Sequence, residues 1–148
     1  MARKSCRPKP TVERVLQPLR RRCPSCGQRM QDQYHNYRTV TTLTDVVRLT
    51  LKIRHCVNAS CAFFHKPYRP EGEGALALPK YEFGLDVIAL VGALRFQSKM
   101  TVPKIHQELL RRKVEISERS VTHLLERYEE LLALHLKDDD RLRDLLSE

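Results

Sequence analysis

The sequence predicts an α+β fold, on three observations. Two short-spaced cysteine pairs, "CPSC" and "CVNASC", have 29 residues between them. Within that interval, residues from Val47 to Arg54 alternate strictly between apolar and polar, the period of a half-buried strand. After Gly84 the apolar period changes from two to 3.6, the mark of packed helices. A small β module followed by a helical module fits 148 residues, enough for one ordinary domain or two small ones.

The chain opens on positive charge. Met1 to Arg22 holds eight Lys/Arg against one acid, Glu13, in a stretch broken by prolines and without apolar period. Residues 1–19 are therefore expected to form a flexible basic arm. No apolar run follows the basic start, so no secretory signal is read. The most apolar stretch, Leu85 to Leu94, falls short of the ~20 residues a membrane span requires. These features predict no membrane partner and a cytoplasmic, nucleoid-associated location, a reducing setting that disfavours disulfides.

In that setting the paired cysteines, Cys23 and Cys26 with Cys56 and Cys61, have the spacing of a four-thiolate Zn2+ site. Each pair sits on a tight turn, favoured in the first by Pro24 and Gly27, and the intervening chain returns to bring the turns together. A thioredoxin-like redox motif would need a βαβ context that the sequence lacks. His55 and His65 lie near enough to substitute as ligands but read as bystanders, and Cys6 has no partner in sequence.

Between the pairs, Val47, Leu49, Leu51 and Ile53 form an apolar face, with Arg48, Thr50, Lys52 and Arg54 opposite. Tyr37 to Thr42 would pair with this strand antiparallel, across a turn near Thr44 and Asp45. Knuckle, hairpin and knuckle together describe a zinc ribbon over residues 20–66. Its core is too small to fold unaided, so metal would supply much of its stability. Phe63 and Phe64 are expected to cover that core. Three prolines and three glycines in the 21 residues from Phe64 to Gly84 predict a linker over 67–84.

Three helices follow, over about Leu85–Gln97, Val102–Arg112 and Glu118–His135. Thr101 is the expected cap of the second, with Pro103 in its first turn. Ser117 is the cap of the third, which carries one apolar stripe through Val121, Leu124, Leu125, Tyr128, Leu131 and Leu132. The short "KVEI" break between the last two makes residues 85–137 a trihelical helix-turn-helix. A solvated charged tail is expected over 138–148. Asp138, Asp139 and Asp140 are adjacent, so their side chains diverge rather than form a two-metal site.

A net charge of +9 and a pI near 9.6 point to a polyanionic partner. Helix-turn-helix geometry would put Arg119, Ser120, Thr122 and His123 in the major groove, with Arg127 one turn on. Arg119 is the best base reader, since a guanidinium binds guanine bidentately. Phosphate contacts would come from Lys104, Arg111, Arg112 and Lys113, and from Arg20, Arg21, Arg22, Arg48, Lys52 and Arg54 of the ribbon. The expected partner is double-stranded DNA, with a homodimer or a larger nucleoprotein assembly as further expected partners. Alternatives are a protein-docking module or an RNA-binding ribbon, the latter suggested by aromatics interleaved with cations in "NYR" and "FFHKPYR".

Basic arm, "CPSCG", the "YRTVTTL…VRLTLKIRHC" hairpin, "ALPKYEFGLDVIALVGALR" and "IHQELLRRKVEISERSVTHLLERYEELLAL" follow one another in a familiar order. From about Arg20 to Leu136 the layout resembles the N-terminal part of certain bacterial insertion-sequence transposases of the DDE type. The resemblance implies a ribbon and helix-turn-helix that recognise the element's terminal repeats, ahead of an RNase-H-like catalytic domain. That domain is absent from these residues, so no enzymatic activity is expected of them. The second knuckle departs from the pattern, with four intervening residues where two are more usual.

Overall fold

The computed structural model describes residues 8–147 and divides into two compact units, Met1–Leu85 and Asp86–Glu148. The first unit is built on three strands, β1 (Val12–Leu16), β2 (Gln31–Thr41) and β3 (Val46–His55), in the order β1-β3-β2. Strands β2 and β3 pair antiparallel from Thr41↔Val46 to Gln31↔His55, with a bulge between Asp32 and Tyr34. The hairpin turn lies where expected: the Thr42 amide donates to the Asp45 carbonyl at 2.8 Å, and the Asp45 amide donates to Thr42 Oγ1 at 3.0 Å. The alternation of β3 survives folding, with Leu49, Leu51 and Ile53 fully buried and Arg48 exposed on the opposite face.

Two expectations need correction. Residues 12–16 are not a flexible arm: β1 pairs parallel with β3, from Val12↔Val47 to Leu16↔Leu51. The central strand β3 has two edges and the hairpin fills one, so the remaining row of amides and carbonyls recruits this segment despite its polarity. Leu16 supplies the apolar contact with the core. Met1–Arg7, the rest of the expected arm, lies outside the described residues.

Nor are residues 67–84 a linker. Leu76 and Ala77 pack on the core formed by Val40, Val47, Leu49, Leu51 and Ile53. Glu73, at the end of a 3-10 turn over Glu71–Glu73, is buried between Arg38 (2.9 Å) and Arg69 (2.8 Å). The Thr41 amide donates to Glu82 at 2.7 Å and the Gly84 amide donates to Thr41 at 2.9 Å, tying the segment to the end of β2. A three-stranded sheet has one apolar face that must be covered, and this irregular wrap covers it.

The second unit contains α1 (Leu85–Phe96), α2 (Val102–Arg111) and α3 (Glu118–Ser147). Buried side chains come from all three helices and from the turn: Val87, Ile88 and Val91, then Ile105 and Leu109, then Val114 and Ile116, then Val121, Leu124 and Leu125. Helix α2 ends in a Schellman arrangement, in which the Lys113 amide donates to Leu110 at 2.9 Å and the Val114 amide donates to Leu109 at 2.9 Å. Lys113 occupies the left-handed position with φ 64°. Ser117 caps α3, its hydroxyl accepting from the Ser120 amide at 3.1 Å. Thr101 has extended cap geometry, but its hydroxyl makes no cap bond.

Helix α3 is longer than expected, and the anticipated tail is helical as far as Ser147. Adjacent aspartates are weak helix formers rather than breakers, and strong formers flank them on both sides. The apolar stripe divides along its length. Val121, Leu124 and Leu125 are buried, whereas Leu131 and Leu132 are 37% and 41% exposed. No helix among the described residues is long and apolar enough to cross a membrane.

Candidate metal centre and nucleic-acid interface

Cys23 and Cys26 lie on a turn closed by the Cys23 amide donating to Gln28 (2.8 Å) and the Gly27 amide donating to Cys23 (3.0 Å). Gly27 takes φ 72°, which a side chain would strain. The second knuckle absorbs its two extra residues through Asn58. The carbonyl of Asn58 accepts from the Cys61 amide at 3.0 Å, and its side-chain oxygen accepts from the Ser60 amide at 3.1 Å.

These turns bring all four sulfurs within 4.8 Å of one another. Sγ of Cys23 lies 3.7 Å from that of Cys61, and Sγ of Cys26 lies 3.5 Å from that of Cys56. A tetrahedron with metal–sulfur bonds of ~2.3 Å has edges of roughly 3.8 Å, so the donor set fits one four-coordinate ion. His55 and His65 stack on each other at 5.2 Å and contribute nothing to the cluster.

Electrostatics of the thiols fit the same role. The Cys26 amide, helped by that of Ser25, lowers the Cys23 thiol to about 6. The Gln28 amide lowers Cys26. The Asn58 amide also favours the Cys56 thiolate, but burial and the neighbouring thiols outweigh it and push that group up to about 12. Four adjacent thiols cannot all ionise without a cation among them, and a metal ion is such a cation.

Positive charge is divided unevenly. Residues 1–85 carry sixteen Lys/Arg and six Asp/Glu, a net +10, while residues 86–148 carry eleven and twelve, a net −1. Several arginines of the first unit are partly engaged in the structure itself. Arg22 donates to the Gly27 carbonyl at 3.1 Å, and Arg20 to that of Arg22 at 3.1 Å. Arg54 pairs with Asp32 at 3.2 Å and reaches the carbonyls of Pro18 and Arg20 at 3.4 Å. Arg21 is exposed and, with Arg54 and Arg29, lines a cavity of about 550 Å³. Arg48 lies over the Tyr37 ring, 5.6 Å from its centroid, and Lys52 is half-buried on the same sheet face. Arg29 was not among the expected contacts, although its place at the end of the first knuckle was a usable signal. Phe63 and Phe64 do not cover the core around the cysteines, the role expected of them; they are 43% and 38% exposed, and Lys66 stands 5.5 Å from the Phe63 ring. The knuckle core closes on Met30 and Tyr68 instead.

In the helical unit, Arg119, Thr122 and His123 are exposed on the first two turns of α3. Ser120 is half-buried, its amide and hydroxyl both turned to the Ser117 cap. His123 faces Glu126 at 3.6 Å and Arg127 pairs with Glu130. Arg112 shares Glu108 with Arg111, which holds that carboxylate down at about 2, so Arg112 is already partly neutralised. Lys104 and Lys113 are exposed. Among the described residues, the Arg119 side chain makes no hydrogen bond or ion pair, including with Glu115. Comparison of the chain with protein-family models, curated proteins and solved structures finds no match.

Proposed function

We propose that this chain is a zinc-stabilised, sequence-specific double-stranded DNA-binding module, of the kind that reads the end repeats of a transposable element. The observation that carries the reading is the α2–turn–α3 arrangement. A buried turn (Val114 and Ile116) and a serine cap set the start of α3, Val121, Leu124 and Leu125 face inward, and Arg119, Thr122 and His123 are left exposed. That is the pattern a recognition helix needs. Zinc is the ion we assign to the cluster, since four soft thiolates within 4.8 Å suit one tetrahedral centre. The ribbon unit, at net +10, supplies sequence-independent phosphate affinity that the helical unit, at net −1, cannot. The transposase reading rests on the order of parts alone.

Binding-site selection on the wild type and on Arg119→Ala tests the proposal. The wild type should enrich a defined motif, and the variant should lose preference at one base pair, a discrimination of roughly 1–3 kcal/mol. An unchanged motif in the variant would remove α3 as the reading element.

A further inference from the structure

A groove of about 970 Å³ runs beside β2, lined by Tyr37 and Arg48 of the sheet and by Arg69, Lys80 and Tyr81 of the wrap. Its volume lies at the upper end of the ~300–1,000 Å³ typical of small-molecule pockets, enough to admit a nucleotide. Tyr37 is 61% exposed, with the Arg48 guanidinium over one ring face. A ring this open on a sheet offers a face on which a planar partner can stack.

Charge in the groove favours an anion. The lining cations Arg38, Arg48, Arg69 and Lys80 outnumber the lining acids Glu73 and Glu82, and Glu73 is held by Arg38 and Arg69. Lys80 is also strained. It is the third residue of a turn from Leu78 to Tyr81, closed by the Tyr81 amide on Leu78 at 3.2 Å, and it takes φ 64° directly after Pro79. Glycine is the unstrained residue at such a position. The strain persists because Arg38 clamps the turn at both ends, donating to the carbonyls of Leu78 and Tyr81. The backbone that carries Lys80 is therefore fixed in a groove that Tyr37 also lines.

We propose that this groove binds an unpaired stretch of nucleic acid, one base stacking on the open face of Tyr37 and the flanking phosphates meeting Arg48 and Lys80. Bases inside a duplex have no free face to offer, so this surface is distinct in role from the helix-turn-helix. Unpaired DNA and RNA share the required chemistry.

Fluorescence anisotropy of the zinc-loaded full chain with labelled twelve-residue oligo-dT, oligo-U and a duplex would test it. Tyr37→Ala should weaken single-strand binding by ~5- to 150-fold and Tyr37→Phe should restore it, because stacking needs only the ring. Lys80→Gly should lower the salt slope on single strands by roughly 0.7 while the melting temperature holds or rises, since strain is removed with the charge. Arg119→Ala should leave single-strand binding unchanged, which separates this groove from the duplex-reading surface. The better-bound oligomer shows whether the groove favours the DNA or the RNA strand. Equal weakening of single strands and duplex by Tyr37→Ala, or no weakening in a folded variant, overturns the proposal. Should Tyr37→Ala fail to fold, Lys80→Gly decides: an unchanged single-strand salt slope overturns it.

Discussion

Gly92→Ala tests whether the seating of α3 depends on the close approach of α1 to Tyr128. A Cβ built at Gly92 would stand 2.3 Å from Cδ2 and Cε2 of the Tyr128 ring and 2.5 Å from its Cγ. Non-bonded carbons settle at ~3.5–4.0 Å, so the ring must retreat by more than about 1 Å. It cannot do so freely, because it stacks against Phe96 at 5.8 Å with an interplanar angle of 26°. Overpacking of this kind costs about 1–3 kcal/mol. Alanine is better than glycine in a helix by about 0.5–1 kcal/mol, which offsets part of it. A net loss near ~1 kcal/mol should lower the melting temperature of so small a unit by roughly 4–8 °C. Differential scanning calorimetry of the full chain would measure this, with the same substitution repeated in a Tyr128→Ala background. There the clash is gone and Gly92→Ala should stabilise. A rise in melting temperature in the wild-type background, or an equal drop in both, would refute the reasoning.

Three other sites carry expectations of their own. Cys23→Ser should abolish stoichiometric zinc binding while Cys6→Ser retains it, as read by metal analysis; equal loss in both would undo the ligand assignment. Lys113→Gly, at the left-handed position ending α2, should raise stability by about 0.5–1 kcal/mol yet weaken binding to all duplexes alike; a sequence-selective loss would mean that Lys113 reads bases. Burial raises the Glu71 carboxyl, but the Tyr68 hydroxyl and the amides of Leu19 and Arg20 outweigh it and bring it to about 2, below the ordinary 4.5. Its contribution to stability is therefore full above pH 4.5 and lost as pH falls through about 2. Glu71→Gln should flatten that part of the urea-midpoint profile, and an unaltered acid limb would show that these bonds do not matter.

The parts of this protein that were legible in its sequence are those governed by local spacing. Alternation from Val47 to Arg54 placed β3 and its buried face, because side chains two apart must share a face of a strand. Ser117 and the apolar residues after it placed the start of α3, because a cap and a 3.6-residue period are both local. The cysteine spacing predicted the cluster of four sulfurs that the fold assembles.

Contacts distant in sequence were decided by tertiary structure alone. Strand β1 exists because β3 has a second edge to fill, and nothing within residues 12–16 announces a partner 35 positions away. The wrap reads as a linker because its prolines and glycines erase any period, yet Ala77 and Glu73 bury themselves against the one sheet face still open. The division of charge is visible in the sequence once the boundary at residue 85 is known, but only packing sets that boundary. Arg38 shows the difference most plainly. By position it is one more cation on a strand, whereas folding turns it inward onto Glu73 and the Leu78–Tyr81 turn. A side chain's sequence neighbours fix the face it occupies, while its charge partners come from wherever the chain returns in space.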